Sequence, residues 1–202
     1  MAGRLASVFD FPNLAKKSLL AGGLMLAGDV MAQTIETTFN RNSEATLAQV
    51  ASLDRLKEVD WDTTRLRRMF LWGFVGAGPS MFFWYRFLDR AFPAKTMGTV
   101  LKKVALDQSL FAPCIVLEFF VFNDYMRGLS NEQIKEQLQK NYLSAMKMNY
   151  TVWPMFAALS FRFVPPHHRV FYSSFVSMGW NTYLSYVGNK QPVGAKKGQT
   201  QP

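Results

Sequence analysis

Apolar and polar stretches alternate along the chain, and five of the apolar stretches are long. No charged residue occurs within 69–85 or within 170–187, and only Arg162 interrupts the stretch 148–164. A helix that crosses a bilayer needs about 20 mostly apolar residues, whereas a core helix of a soluble protein is shorter and apolar on one face only. The pattern therefore predicts an all-α integral membrane bundle, with a large soluble helical bundle as the alternative. The predicted segments are 18–39, 68–88, 104–126, 148–164 and 169–187.

We expect four of these segments to be the principal transmembrane helices. The segment at 148–164 is at the lower limit of spanning length, so it is either a full span or a short re-entrant helix, and both options stay open. Residues 1–188 are predicted to form one helical membrane domain. The tail at 189–202 consists mainly of Gly, Pro, Gln and Lys and is predicted to be disordered.

Composition supports the membrane interpretation and narrows the function. The mean hydropathy is only −0.02, because basic connectors offset the apolar segments, and the formal net charge is +9. Lys and Arg are equally numerous on the two sides of a four-span arrangement, so they do not orient the chain. The single cysteine, Cys114, excludes a disulfide framework or a multi-cysteine zinc site, and we expect it to pack in the core. Phosphate-binding, zinc-protease and nucleophile-elbow motifs are absent, which favours a protein without catalytic activity, metal or cofactor.

Glycine and proline positions predict how the helices pack and bend. Small residues recur four positions apart in the first two segments and should let those helices approach closely. Prolines inside helices should bend them. The residues assigned to close packing and kinks are Gly28, Gly76, Gly78, Pro79, Pro113 and Pro154.

Polar side chains inside the segments are predicted to share faces of three helices. Asp29, Gln33 and Glu36 are spaced to lie on one face of the first helix. Asp107, Cys114, Glu118 and Tyr125 would share a face of the third helix, and Ser174, Ser177, Asn181 and Ser185 a face of the fifth.

Because polar groups in lipid usually face the bundle interior or water, one hypothesis is a narrow pathway with a lining that favours cations. Its predicted lining residues are Asp29, Gln33, Glu36, Asp107, Glu118, Ser177 and Asn181. The alternative is that these groups only join helices, with Asp29 or Glu118 paired to Arg86 or Arg162.

An ordered set of short motifs resembles the Mpv-seventeen and peroxisomal membrane protein family. It spans residues 28–185, in the order and at the spacing of the family. The motifs are Gly28-Asp29 with Gln33, Arg65 and Arg68, Gly78-Pro79, Trp84-Tyr85 with Leu88-Asp89-Arg90, Leu101-Lys102-Lys103 with Asp107-Gln108, Ala112-Pro113, Trp153-Pro154, Val164-Pro165 with Arg169, and Trp180-Asn181-x-Tyr183-Leu184-Ser185.

The resemblance implies a helical protein of the mitochondrial inner membrane or, alternatively, of the peroxisomal membrane. It implies a weakly selective channel for small solutes that supports mitochondrial homeostasis and mitochondrial DNA maintenance. The C-terminal motifs look most similar to the second Mpv-seventeen-like branch, which implies an alternative role in mitochondrial ribosome assembly. The expected partners are the lipid bilayer, further copies of the chain and, in the alternative, the mitochondrial ribosome contacted through the basic connectors.

Overall fold

The described residues form a bundle of five long helices. The computed structural model describes residues 11–41, 59–94 and 96–189, and within these it describes all side chains except those of 39–41 and 181–189. The tail from residue 190 and most of the polar stretch 40–60 therefore lie outside the described residues. The helices are α1 (Phe11–Arg41), α2 (Thr63–Leu71, a π-helical turn Trp72–Ala77, then Gly78–Ala91), α3 (Met97–Leu106, a π-helical turn Asp107–Phe111, then Ala112–Met126), α4 (Asn131–Phe163) and α5 (Arg169–Asn189), which follows a short 3₁₀ turn at Pro166–His168.

Consecutive helices run antiparallel, so the bundle has two distinct ends. Contacts such as Glu36 with Arg65 and Asp89 with Lys103 pair late residues of one helix with early residues of the next. We call the end that gathers the start of α1, the end of α2, the start of α3, the end of α4 and the start of α5 the basic end. Helix α1 packs most extensively against α5 and α2, which places it on one side of the bundle.

Two helices of the described chain are long and apolar enough to cross a membrane. They are Phe11–Thr38 and Met97–Met126, and only 11% of the most apolar window in the second is buried inside the protein. Helix α3 therefore presents most of its apolar surface outward. The division into four principal spans and one embedded segment stays a prediction.

The segment 148–164 is not a separate short helix. It forms the C-terminal half of α4, which begins at Asn131 with a capping box made by Ser130 and Gln133. The 33 residues of α4 extend about 50 Å at 1.5 Å per residue. The polar stretch that precedes the segment was expected to be a connector, but it is mostly helical. Its capping box suits the start of a helix.

Two of the three predicted kink positions follow π-helical turns. Gly78 donates its backbone N–H to the carbonyl of Gly73, and Ala112 donates to Asp107, each five residues back. The following prolines, Pro79 and Pro113, have no N–H to continue the helical ladder, and a wider turn is one of the known sources of helix bending. Pro154 lies inside α4 without interrupting it.

The π turn in α3 changes which residues share a face. Asp107 is buried, whereas Cys114 is exposed and Tyr125 is 72% exposed. A π turn inserts one extra residue and rotates everything after it relative to a regular α-helix. The predicted common face of Asp107, Cys114 and Tyr125 is therefore wrong, and so is the expectation that Cys114 packs in the core.

Small residues bring α1 and α2 into close contact at Gly73 and Gly78. A Cβ atom on Gly73 would lie 2.6 Å from the carbonyl oxygen of Ala21, and one on Gly78 would lie 2.8 Å from the Cα of Ser18. We call this contact, formed by Ser18, Ala21, Gly73 and Gly78, the α1–α2 seam.

The other glycines assigned to packing have different roles. A Cβ atom on Gly28 would meet Met178 of α5 at 3.1 Å, and one on Gly76 would meet the ring of Trp72 in its own helix at 2.5 Å. Gly23 has open space around it.

Candidate functional site: a polar cavity inside the bundle

The polar residues predicted on α1 form an ion-pair network with α2. The Arg65 guanidinium lies 2.7 Å from an oxygen of Asp29 and 2.8 Å from an oxygen of Glu36. Gln33 donates to Asp29 at 2.9 Å and accepts from the backbone N–H of Asp62 at 2.9 Å. We call Asp29, Gln33, Glu36 and Arg65 the Arg65 network. It joins the C-terminal half of α1 to the start of α2.

The ion pairs differ from those expected from the sequence. Asp29 pairs with Arg65 rather than with Arg86 or Arg162. Glu118 accepts a hydrogen bond from the hydroxyl of Ser80 at 3.1 Å and does not line the cavity described below. The expected partners were wrong because Arg65 lies before the predicted second segment, and the helix in fact begins at Thr63.

A second ion-pair cluster lies at the basic end. The ammonium of Lys103 is 2.6 Å from Asp89, and the guanidinium of Arg169 pairs with the same carboxylate oxygen. Both cations also lie over the ring of Phe161, at 5.8 and 5.3 Å from its centroid. We call these four residues the Asp89 cluster. It joins the ends of α2, α3, α4 and α5.

Between these two clusters the helices line an open cavity of about 510 Å³ whose wall is mostly apolar. All five helices contribute to its wall. Helix α1 contributes Met25, α2 contributes Trp72, Ala77, Met81 and Tyr85, and α5 contributes Ser173, Ser177 and Trp180. The remaining wall comes from α3 and α4, with Asp107, Gln108, Phe111, Ala112, Ile115, Val116, Phe119, Phe120, Asn141, Ser144, Ala145, Met148, Asn149 and Trp153.

Asp107 is the only charged residue among those that line the cavity. One carboxylate oxygen accepts from the indole N–H of Trp84 at 2.8 Å, and the other accepts from the side-chain amide of Gln108 at 2.9 Å. A carboxylate has about four lone-pair sites, so each oxygen retains capacity for a further donor. Within the described residues Asp107 forms no ion pair, in contrast to Asp29 and Asp89.

Two amide oxygens in the cavity wall have no hydrogen-bond donor. The side-chain oxygens of Gln108 and Asn149 are buried and unpartnered within the described part of the chain. Buried polar atoms of this kind are rare and usually mark an absent water, ion or ligand. Two acceptors among the lining residues are therefore not used by the protein itself.

Hydrogen bonds hold α4 and α5 around the cavity. Tyr142 donates to the carbonyl of Pro113 at 3.1 Å, and Tyr150 donates to that of Gln108 at 3.0 Å. Across the bundle, the hydroxyls of Tyr85 and Ser173 lie 2.7 Å apart.

Aromatic rings form much of the apolar wall. Phe111 stacks on Trp84 with ring centroids 5.2 Å apart, and Phe119 meets Trp72 edge-on at 5.5 Å. Trp84 therefore both packs against a wall residue and holds Asp107 by hydrogen bonding. Within the described residues, no group of three His, Cys, Asp or Glu side chains is placed to hold a metal ion.

The structure brings together only part of the set predicted to line a pathway. Asp107 and Ser177 line the cavity, and the side chain of Asn181 lies outside the described residues. The sequence analysis missed Asn141 and Asn149, which lie about two turns apart on one face of α4. Their helical spacing was a usable signal, but the stretch 127–147 was interpreted as a connector.

The motif residues that carried the family resemblance are concentrated around this cavity and the Asp89 cluster. Tyr85, Asp107, Gln108, Trp153 and Trp180 line the cavity. Trp84 bonds Asp107, Arg169 belongs to the Asp89 cluster, Pro154 follows Trp153, and the side chain of Tyr183 lies outside the described residues.

A bundle of helices with an outward-facing apolar helix is the architecture of an all-α membrane protein. Comparison with known proteins identifies its family. The model of the Mpv17 / PMP22 family matches residues 124–185.

Relatives match over most of their length. The chain is 39% identical to protein sym-1 of Neurospora crassa over 68% of this chain and 80% of that protein. It is 35% identical to the mitochondrial inner membrane protein Mpv17 of Xenopus laevis over 84% of this chain and 86% of the relative. It is also 30% identical to PXMP2/4 family protein 2 of Dictyostelium discoideum, over 92% and 89% of the two chains. No solved structure matches the chain.

The chain therefore belongs to the Mpv17/PMP22 family. The relatives named as mitochondrial inner membrane proteins place it in that membrane. The family and the membrane expected from the resemblance are thus both confirmed, and the chain is a mitochondrial inner membrane protein of this family.

Proposed function

We propose that the protein is a passage for small solutes across the mitochondrial inner membrane, and that the cavity is the chamber in which the solute binds. The observation that carries this proposal is the 510 Å³ cavity lined by all five helices. Ligand sites in proteins have volumes of about 300–1,000 Å³ and combine apolar walls with a few polar groups. The cavity has both properties, and its polar groups lie at membrane depth, where they usually mark a solute or ion pathway.

The proposal assigns different roles to the polar residues predicted from the sequence. Asp107 and Ser177 contact the solute, together with Gln108, Asn141 and Asn149. The Arg65 network holds α1 against α2 and supports the wall from outside the cavity. The π turns before Pro79 and Pro113 are the places where α2 and α3 could bend during passage. Support of mitochondrial homeostasis and mitochondrial DNA maintenance would follow from the supply of small solutes.

Planar-bilayer recording with purified protein tests the passage directly. We expect conductance from the wild-type protein and a strong reduction in Ala145→Trp, because the indole would fill part of the cavity. The matched control is Leu143→Trp, since Leu143 lies on the same helix but is 69% exposed and does not line the cavity. Absence of conductance in the wild type, or equal conductance in the two variants, would contradict the proposal.

One observation supports a second function, that of a membrane-anchored factor for mitochondrial ribosome assembly. The basic end exposes Arg90, Lys102 and Arg162, and the acid described at this end, Asp89, is already paired with two cations. Such a surface attracts a nucleic-acid backbone electrostatically. Salt-sensitive co-sedimentation with mitochondrial ribosomal subunits, lost in Arg90→Glu with Lys102→Glu, would favour it. Sedimentation that is unaffected by salt and by these changes would argue against it.

A further inference from the structure

We propose that the cavity binds a small organic cation, namely an ammonium group carried on an aromatic or apolar body, and that it discriminates against the corresponding anion. This inference deepens the proposed function, on which it rests for the role of the cavity. It commits the site to one chemical class of solute.

The charge of the cavity wall is the first argument. Asp107 is the only ionisable carboxyl among the lining residues, and the lining contains no Lys, Arg or His in the described part of the chain. Three cations of the bundle are paired elsewhere, Lys103 and Arg169 with Asp89 and Arg65 with Asp29 and Glu36. A carboxylate in a cavity wall without a cation favours a positively charged partner.

The hydrogen-bonding capacity of the wall is the second argument. Gln108 directs one amide N–H to Asp107, and Asn141 directs one to Gln137. The side-chain oxygens of Gln108 and Asn149 are buried and accept nothing. An ammonium group has three donors and no acceptor, which matches the carboxylate of Asp107 and these two unused oxygens. A carboxylate or phosphate would be repelled by Asp107.

The aromatic wall is the third argument, because it fits the remainder of such a solute. Trp72, Phe119 and Trp153 line the same cavity, and aromatic faces attract both apolar bodies and cations. The wall therefore combines one acid, unused acceptors and aromatic rings. These are the components by which proteins recognise organic ammonium ligands in general.

Equilibrium binding with matched probes tests this inference. Isothermal titration of the detergent-solubilised protein with phenethylammonium, 2-phenylethanol and 3-phenylpropionate compares a cation, a neutral molecule and an anion with the same ring, and empty micelles supply the blank. We expect phenethylammonium to bind at least about tenfold more tightly than 3-phenylpropionate, since a hydrogen bond to a charged group contributes this much or more. If the wild-type protein binds the anion equally or more tightly, the inference is overturned without any variant being needed.

Variants identify the groups responsible. Asp107→Asn should weaken binding of phenethylammonium about tenfold and reduce its advantage over 2-phenylethanol. Glu118→Gln is the matched control, because it removes a carboxylate from the same helix outside the cavity wall, and it should leave the affinity unchanged. Ala145→Trp should weaken binding strongly, because the indole would occupy part of the cavity. Unchanged affinity in Asp107→Asn or Ala145→Trp would show that the cation binds elsewhere and would overturn the inference.

The two proposals can fail separately. Asp107-dependent binding of phenethylammonium without any conductance would leave the recognition in place and reject the passage. Conductance that Ala145→Trp blocks, without binding of phenethylammonium, would leave the passage in place and reject the organic cation.

Discussion

The two sides of the bundle use the same kinds of residues for opposite purposes. On the side of α1, acids meet a cation, glycines replace side chains, and the helices touch along the α1–α2 seam. On the side of α3 and α4, Asp107 meets no cation, and aromatic and amide side chains surround empty space. An intramembrane acid is thus not in itself a sign of a pathway. Its partner decides whether it joins helices or faces a solute.

The largest expected effect comes from breaking the Arg65 network. Arg65→Met leaves Asp29 and Glu36 without their cation, and removal of one partner from a buried ion pair costs about 3 kcal/mol or more of unfolding free energy. Asp107→Asn, on the cavity side, should cost less than about 1 kcal/mol, because the amide oxygen can still accept from Trp84. Thermal unfolding in detergent measures both. Equal losses in the two variants would mean that the two acids do not differ in structural role.

The next effect concerns the α1–α2 seam. Gly73→Ala places a Cβ atom 2.6 Å from the carbonyl oxygen of Ala21, and overpacking of this kind costs about 2 kcal/mol. Gly23→Ala is the matched control in the opposing helix, since nothing lies within 4 Å of its Cβ position. It should be neutral or stabilise by up to about 1 kcal/mol through helix propensity. Denaturant titration compares them, and a Gly73→Ala protein as stable as the control would mean that the helices are not in close contact there.

A smaller effect is expected at the edge of the cavity. Trp84→Phe keeps an aromatic ring against Phe111 but removes the N–H that Asp107 accepts. Loss of one hydrogen bond to a buried carboxylate costs about 1–2 kcal/mol. The same denaturant titration measures it. The double variant Trp84→Phe with Asp107→Asn checks the contact between the two side chains. If its loss of unfolding free energy equals the sum of the two single losses, the residues act independently and the hydrogen bond contributes nothing to stability.

The smallest effect is expected at Cys114. Because its side chain is exposed on the outer surface of α3, Cys114→Ser should change the unfolding free energy by less than about 0.5 kcal/mol. A membrane-permeant maleimide should label the folded wild-type protein at this single cysteine, although more slowly than after unfolding, because apolar surroundings disfavour the reactive thiolate. Labelling that requires unfolding would mean that Cys114 is buried. It would also mean that Cys114 shares a helix face with Asp107 after all.

The fold class and much of the packing could be predicted from local pattern. The apolar segments correspond to parts of α1 to α5, and the small residues of the first two helices are in contact at Gly73. Apolar pattern alone places the helix starts too late. The starts of α2 at Thr63 and of α4 at Asn131 lie in polar sequence, and the cap residues Asp62 and Ser130 mark them there.

The candidate site was predictable only in part, because the π turns in α2 and α3 shift which residues share a helix face, and a regular helical spacing does not predict this shift. Asp107 and Ser177 were identified from their position inside apolar segments, and both line the cavity. Asn141 and Asn149 were missed because they precede or begin the apolar part of α4. Arg65 as the partner of Asp29 was missed because the pair joins two helices whose relative register is not encoded in either one.

The sequence by itself determined that this chain is helical, apolar enough for lipid and a member of the Mpv17/PMP22 family, because hydrophobic periodicity and ordered motifs are local properties. Only the tertiary structure decided which acid is neutralised and which faces the cavity. That outcome depends on the π turn that rotates Asp107 away from Cys114, on the glycines that set the spacing of α1 and α2, and on the residues that each helix presents to its neighbours.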